Sequence, residues 1–180
     1  EDLTPVEASG ISIVPTHKQS ECPDDLDILF VPGGATGTLN AMKNEQFINF
    51  IKTKAATAKY ITSVCTGSLL LGKAGLLKGK SATSHWSTLE LISKFGATPV
   101  KKRVVWDGNL VTGGGVTAGI DFGLEILAAL RGKEYAEAFI ILSFFFFTII
   151  LKTFLLSPLS FLKKFFFIFF FDPFERLSIE

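Results

Sequence analysis

The sequence predicts an α/β protein with a largely parallel sheet covered by helices on both faces. Short apolar runs alternate with segments of helical periodicity, the pattern that βα units produce. Glycine and proline punctuate the ends of these runs, as at Pro32-Gly33-Gly34. One run, Tyr60 to Val64, leads almost directly into a helical segment through Cys65.

Taken in order, Cys22-Pro23-Asp24-Asp25 reads as a turn that opens a strand over Asp27 to Val31. Pro32-Gly33-Gly34 stops it. A helix is expected from Thr38 to Ala55, with Leu39, Met42, Phe47, Phe50 and Ile51 near one face. Tyr60 to Val64 is the next strand and Thr66 to Leu77 the helix after it. Ser81 to Ser84 is expected as a third strand and Trp86 to Phe95 as a helix. Val104 to Trp106 and Leu110 to Thr112 form a hairpin turned at Asp107-Gly108-Asn109. Ile120, Leu124 and Leu127 stripe a last helix.

The 180 residues, 48% of them hydrophobic, suffice for one domain with a sizeable core. Eighteen basic side chains against seventeen acidic ones leave a formal charge of +1, too little field to grip a phosphate backbone. Nucleic acid is therefore not an expected partner. Cys22 and Cys65 have no metal-ligand spacing, so neither a zinc site nor a disulfide framework is indicated. With no secretory signal pattern at the start, the expected compartment is the cytoplasm.

Composition changes after Ala138, which divides the chain into a globular part, residues 1–138, and a Phe-rich tail, residues 139–180. Residues 139–157 are apolar except for Ser143, Thr148, Lys152, Thr153 and Ser157, a length that suits a bilayer core and makes membrane association the alternative localisation. Lys152 inside the run, Pro158 after it, and Lys163 and Lys164 count against a span. A buried helix is a second reading, against which the all-round Phe content stands. A frameshifted or read-through T-rich gene would yield the same Phe/Ile/Leu/Ser/Lys text, and is the third.

The chemically loaded point is Ser63-Val64-Cys65-Thr66-Gly67. A nucleophile on a tight strand-to-helix turn projects clear of the sheet and needs small neighbours, which Ser63 and Gly67 provide. Helix N-termini favour thiolate over thiol. Cys65 is thus the candidate nucleophile, with a buried structural cysteine as the rival account. Gly33 and Gly34 end the neighbouring strand on the same carboxyl edge, where open α/β sheets bind ligands. Their backbone N–H groups could stabilise an anionic intermediate, although a plain Gly-rich turn would look the same.

Five motifs occur in order: Val31-Pro32-Gly33-Gly34, Thr62-Ser63-Val64-Cys65-Thr66-Gly67-Ser68, Ala74-Gly75-Leu76-Leu77, Ala82-Thr83-Ser84-His85-Trp86, and Thr112 to Asp121. Together, over about residues 1–138, they resemble the DJ-1/PfpI superfamily, and in detail its isonitrile hydratases. The resemblance implies a flavodoxin-like three-layer sandwich of the class I glutamine amidotransferase type, usually a homodimer. It implies a lyase that adds water to an isonitrile to give an N-substituted formamide, with no cofactor or metal. Cys65 would attack the terminal carbon to form a thioimidate. Thr66 would face the substrate through its N–H and hydroxyl, and Gly33 and Gly34 would be the backbone donors. Peptidase relatives resemble one another in a Cys followed by His, where this chain has Thr66. His85 is the obvious partner for a Cys–His pair, but its motif looks mainly structural.

The family's catalytic carboxylate lies after its first strand, in a segment expected to precede residue 1, so Glu1, Asp2 and Glu7 do not inherit its role. The first strand is accordingly expected to be missing and the reaction impaired. Two other functions share features with the chain. The ligand-sensing half of an AraC-type transcription regulator has the same domain but needs a helix-turn-helix domain afterwards, and nothing after Ala138 resembles one. Gly113-x-Gly115-x-x-Ala118 suggests dinucleotide binding, but no strand with a terminal acid follows it, and a tight turn explains it better. A thiol-dependent glyoxalase or deglycase is a further alternative within the superfamily. Lys101-Lys102-Arg103 reads as a solvated edge.

Overall fold

The computed structural model describes residues 3–8 and 11–155. A small antiparallel hairpin comes first, β1 (Val6–Ala8) against β2 (Ile11–Ile13). These strands, of three residues each, are too short to show alternation. The main sheet follows, built from β3 (Ile28–Val31), β4 (Tyr60–Val64), β7 (Val104–Asp107) and β8 (Leu110–Gly113) in the order β3-β4-β8-β7. β3 and β8 both run parallel to β4, in registers that set Val31 beside Ser63 and Ser63 beside Thr112. β7 closes the sheet as the antiparallel hairpin partner of β8. The mostly parallel α/β fold is therefore the one expected from the alternation of elements. All four residues of β8 are buried, as a strand covered on both faces requires.

Between these strands stand α1 (Thr36–Ala41), α2 (Glu45–Ala55) and α3 (Gly67–Lys73). A second parallel pair, β5 (Ser81–Ala82) with β6 (Thr98–Pro99), forms a two-stranded sheet of its own next to β7. The continuous helix expected over Thr38 to Ala55 is in fact two, because Asn44 caps the second: its side chain accepts the Phe47 N–H at 3.1 Å. Such a cap satisfies one of the orphan donors of a new helix. Trp86 to Phe95 is likewise not one helix; only Glu90–Phe95 is helical, and it is 3₁₀. Hydroxyls compete with the backbone there, Ser87 bonding His85 Nδ1 at 2.7 Å and Thr88 donating to the His85 carbonyl.

The core joins Leu29 and Val31 of β3, Ile48 and Ile51 of α2, Leu69, Leu70 and Leu71 of α3, and Leu77, Ile92 and Leu110. Ile51, Leu71, Leu77 and Ile92 are almost completely buried, and each side chain of this size contributes about 1.5–3 kcal/mol by leaving water. Two ion pairs brace the frame from outside. Lys54, itself buried, donates to the carbonyls of Cys22 and Pro23 and to Asp24 at 2.6, 3.0 and 2.7 Å. Asp107 accepts the Ser81 N–H at 2.8 Å and Lys80 Nζ at 3.0 Å, tying the β7–β8 hairpin to β5.

Two compact units divide between Glu125 and Ile126, inside α4 (Ala118–Arg131). The second unit contains the end of α4 and α5 (Lys133–Leu155), in which Lys133 and Glu137 pair across one turn at 3.3 Å. The change of composition at Ala138 falls within α5. Among the described residues no helix is long and apolar enough to cross a membrane. Of the apolar stretch 139–157, Phe144 to Phe147 are exposed, while residues 156 and 157 and the rest of the Phe-rich tail lie outside the described residues.

Candidate active site at Cys65

Cys65 stands at the turn between β4 and α3 with φ +61°. A side-chain-bearing residue in this left-handed region costs on the order of 1–3 kcal/mol and persists only where its surroundings over-determine it. Here they do so from both sides of the residue. The Cys65 N–H is shared between the carbonyls of Gly113 and Gly114, at 3.0 and 2.7 Å. Its carbonyl accepts the His85 N–H at 3.3 Å and the Ser84 hydroxyl at 3.2 Å, and Ser84 in turn lies 2.7 Å from Ser68 Oγ and 2.8 Å from Thr88 Oγ1. The turn is thus clamped by the end of β8 and by the segment after β5, neither of them local in sequence.

Two glycines make room for it. A Cβ on Gly33 would stand 2.8 Å from Cys65 Cβ and from Thr66 N. One on Gly67 would stand 2.1 Å from the Val31 carbonyl oxygen. Both distances lie inside any tolerable contact, so the carboxyl end of β3 and the start of α3 can meet only over glycine.

Thr66 is buried, and its hydroxyl takes the Gly34 N–H at 3.1 Å and bonds the Thr38 hydroxyl at 2.8 Å. The Gly34 N–H is therefore committed to Thr66. The N–H groups of Gly33 and Thr66 have no backbone acceptor among the described residues. Both glycines of the Pro32-Gly33-Gly34 stop come to the Cys65 turn, as does Thr66. His85 does so through its backbone; its ring bonds Ser87 and lies 5.3 Å from the Trp86 ring, and among the described residues no hydrogen bond joins the ring to Cys65. Thr38, Ser68 and Ser84 were missed as site residues. Ser68 lay in the Thr62 to Ser68 motif and Ser84 in the Ala82 to Trp86 motif, whereas nothing near Thr38 signalled its contact with Thr66.

Beside the clamp lies a cavity of about 580 Å³. Ser84 and Gly114, which hold the Cys65 backbone, line it together with Trp86, Lys101 and Lys102. Arg103, which also lines it, pairs with Asp121 at 2.5 Å and holds that carboxyl below its ordinary range. No group of three or more His, Cys, Asp or Glu side chains that could hold a metal ion occurs among the described residues.

A mostly parallel sheet whose central strand ends in a left-handed cysteine, braced by glycines of the neighbouring strand, defines a class of cysteine-elbow α/β proteins. The chain belongs to the DJ-1/PfpI family, whose pattern it matches over residues 2–129. It is 54% identical over 137 residues to an isonitrile hydratase of Pseudomonas putida, covering 76% of this chain and 59% of that one. It is 31% identical over 139 residues to DJ-1alpha of Drosophila melanogaster, covering 76% and 64%. Among solved structures, a ThiJ/PfpI family protein from Pseudomonas syringae superposes with a TM-score of 0.77 at 52% identity, over 79% of this chain and 59% of that one. The chain therefore spans less than two thirds of the length of these relatives.

Proposed function

We propose that the chain carries the thiol centre of an isonitrile hydratase, an enzyme of the lyase type acting on a small molecule without a cofactor. The observation that carries this reading is the clamped, left-handed Cys65 in a chain 54% identical to a hydratase over 137 residues. In the reaction the Cys65 sulfur bonds to the terminal carbon of R–N≡C and a proton is delivered to that carbon, giving the thioimidate R–N=CH–S–Cys. Water adds to the C=N carbon, its second proton goes to nitrogen, and the C–S bond breaks to release R–NH–CHO and the free thiol. The N–H groups of Gly33 and Thr66 are the donors available to the charge that develops as sulfur adds. Gly34 and Thr38 act on this step indirectly, by holding the Thr66 hydroxyl. His85 serves as scaffold through its backbone.

The test is formamide production from phenyl isonitrile, followed by chromatography, for this chain, its Cys65→Ala variant, and a longer chain extended to the full length of the Pseudomonas putida hydratase, of which this chain covers 59%. Turnover that disappears with Cys65→Ala supports the reading. Turnover that survives it, or none in either well-folded chain, overturns it. Light scattering on the same samples tests the homodimer implied by the family resemblance, and fractionation of the cells tests the cytoplasmic location.

A further inference from the structure

The cavity that shares Ser84 and Gly114 with the clamp on the Cys65 backbone has a composition that a purely apolar substrate does not need. Its volume of about 580 Å³ lies in the range of small-molecule sites. Trp86 forms part of the wall although it is 80% exposed. A tryptophan normally buries much of its large apolar surface, so one exposed on a cavity lining, with the His85 ring 5.3 Å away, offers a face on which an aromatic ring can stack. Lys101 and Lys102 line the same cavity, and neither has a carboxylate within ion-pair distance among the described residues. Arg103 is neutralised by Asp121. Among the described residues Glu90 is the acid that lines it, which sets two ammonium groups against one carboxylate.

We propose that the cavity binds the substrate's R group, and that this group is an aromatic ring bearing a carboxylate, stacked on Trp86 and drawn to Lys101 and Lys102. The inference rests on the hydratase reading and deepens it, since Ser84 and Gly114 belong both to the cavity and to the clamp on Cys65. The run Lys101-Lys102-Arg103 is then a specificity element as well as a solvated edge.

The experiment is calorimetric titration of the Cys65→Ala chain with 4-formamidobenzoate and with the neutral 4-methylformanilide. The acid is expected to bind about five- to tenfold more tightly at low salt, and the advantage should shrink in 0.5 M sodium chloride as screening sets in. In a Lys101→Ala, Lys102→Ala background it should fall below about twofold. Equal affinity for the two compounds, or an advantage that survives the double substitution, overturns the proposal. The hydratase reading is tested separately by turnover of the corresponding isonitriles. Lysine-dependent binding of the acid without any turnover would sink that reading and leave the ligand class standing. Equal kcat/KM for the two isonitriles would do the reverse.

Discussion

Gly33 and Cys65 lie so close that a single methyl group on Gly33 would stand 2.8 Å from Cys65 Cβ. Strands β3 and β4 run parallel and in register up to Val31 and Ser63, and the two residues are where their carboxyl ends meet. Gly33→Ala should therefore displace the elbow. We expect a loss of about 1–3 kcal/mol in stability and a fall in turnover, read from a thermal melt and an isonitrile assay. Gly67→Ala should be worse, because its methyl would meet the Val31 carbonyl, which is backbone and cannot swing aside.

The positive φ of Cys65 makes a comparison of two inactive variants informative. Glycine adopts this conformation freely, whereas alanine retains the steric penalty. Cys65→Gly should consequently be more stable than Cys65→Ala by about 1 kcal/mol in chemical denaturation. The opposite order would show that the left-handed turn relaxes once sulfur is removed.

Thr66 is held by two partners, the Gly34 N–H and the Thr38 hydroxyl. Thr66→Val keeps the shape but leaves the Gly34 N–H without its acceptor and the Thr38 hydroxyl without its partner, at a cost of about 1–3 kcal/mol. Thr66→Ser retains the hydroxyl and should recover most of both stability and turnover. A valine variant as stable and active as the serine one would remove the hydroxyl from the account.

Three carboxylates predict the acid limb of stability. The Ser81 N–H, then Lys80, lowers Asp107 below its ordinary value of 3.8; hydrogen bonding to Lys54 lowers Asp24, and Arg103 lowers Asp121. A depressed folded-state pKa adds stability that is fully present above the unfolded-state value and is lost as pH falls through the folded one. Stability should thus hold above about pH 4 to 5 and decline below 3.8. Asp107→Asn should flatten part of that decline, measured as the denaturation midpoint between pH 6 and pH 2.5.

The sequence by itself determined the strands at Asp27 to Val31 and Tyr60 to Val64, the Asp107-Gly108-Asn109 hairpin and the position of Cys65 at a strand-to-helix junction. These are local matters: apolar runs, glycine and proline stops, and turn residues act within a few positions of one another. Helix breaks at Asn44 and after Trp86 were less legible, since side-chain capping and hydroxyl competition override periodicity there. Only the tertiary structure decided what holds the elbow. Gly113 and Gly114 reach Cys65 from β8, Ser84 and His85 from beyond β5, and Thr38 reaches Thr66 across 28 positions. It also decided that Lys101 and Lys102 line a cavity with Trp86. Such pairings arise from the order β3-β4-β8-β7, which packing selects from the whole chain at once, and no short window of residues encodes it.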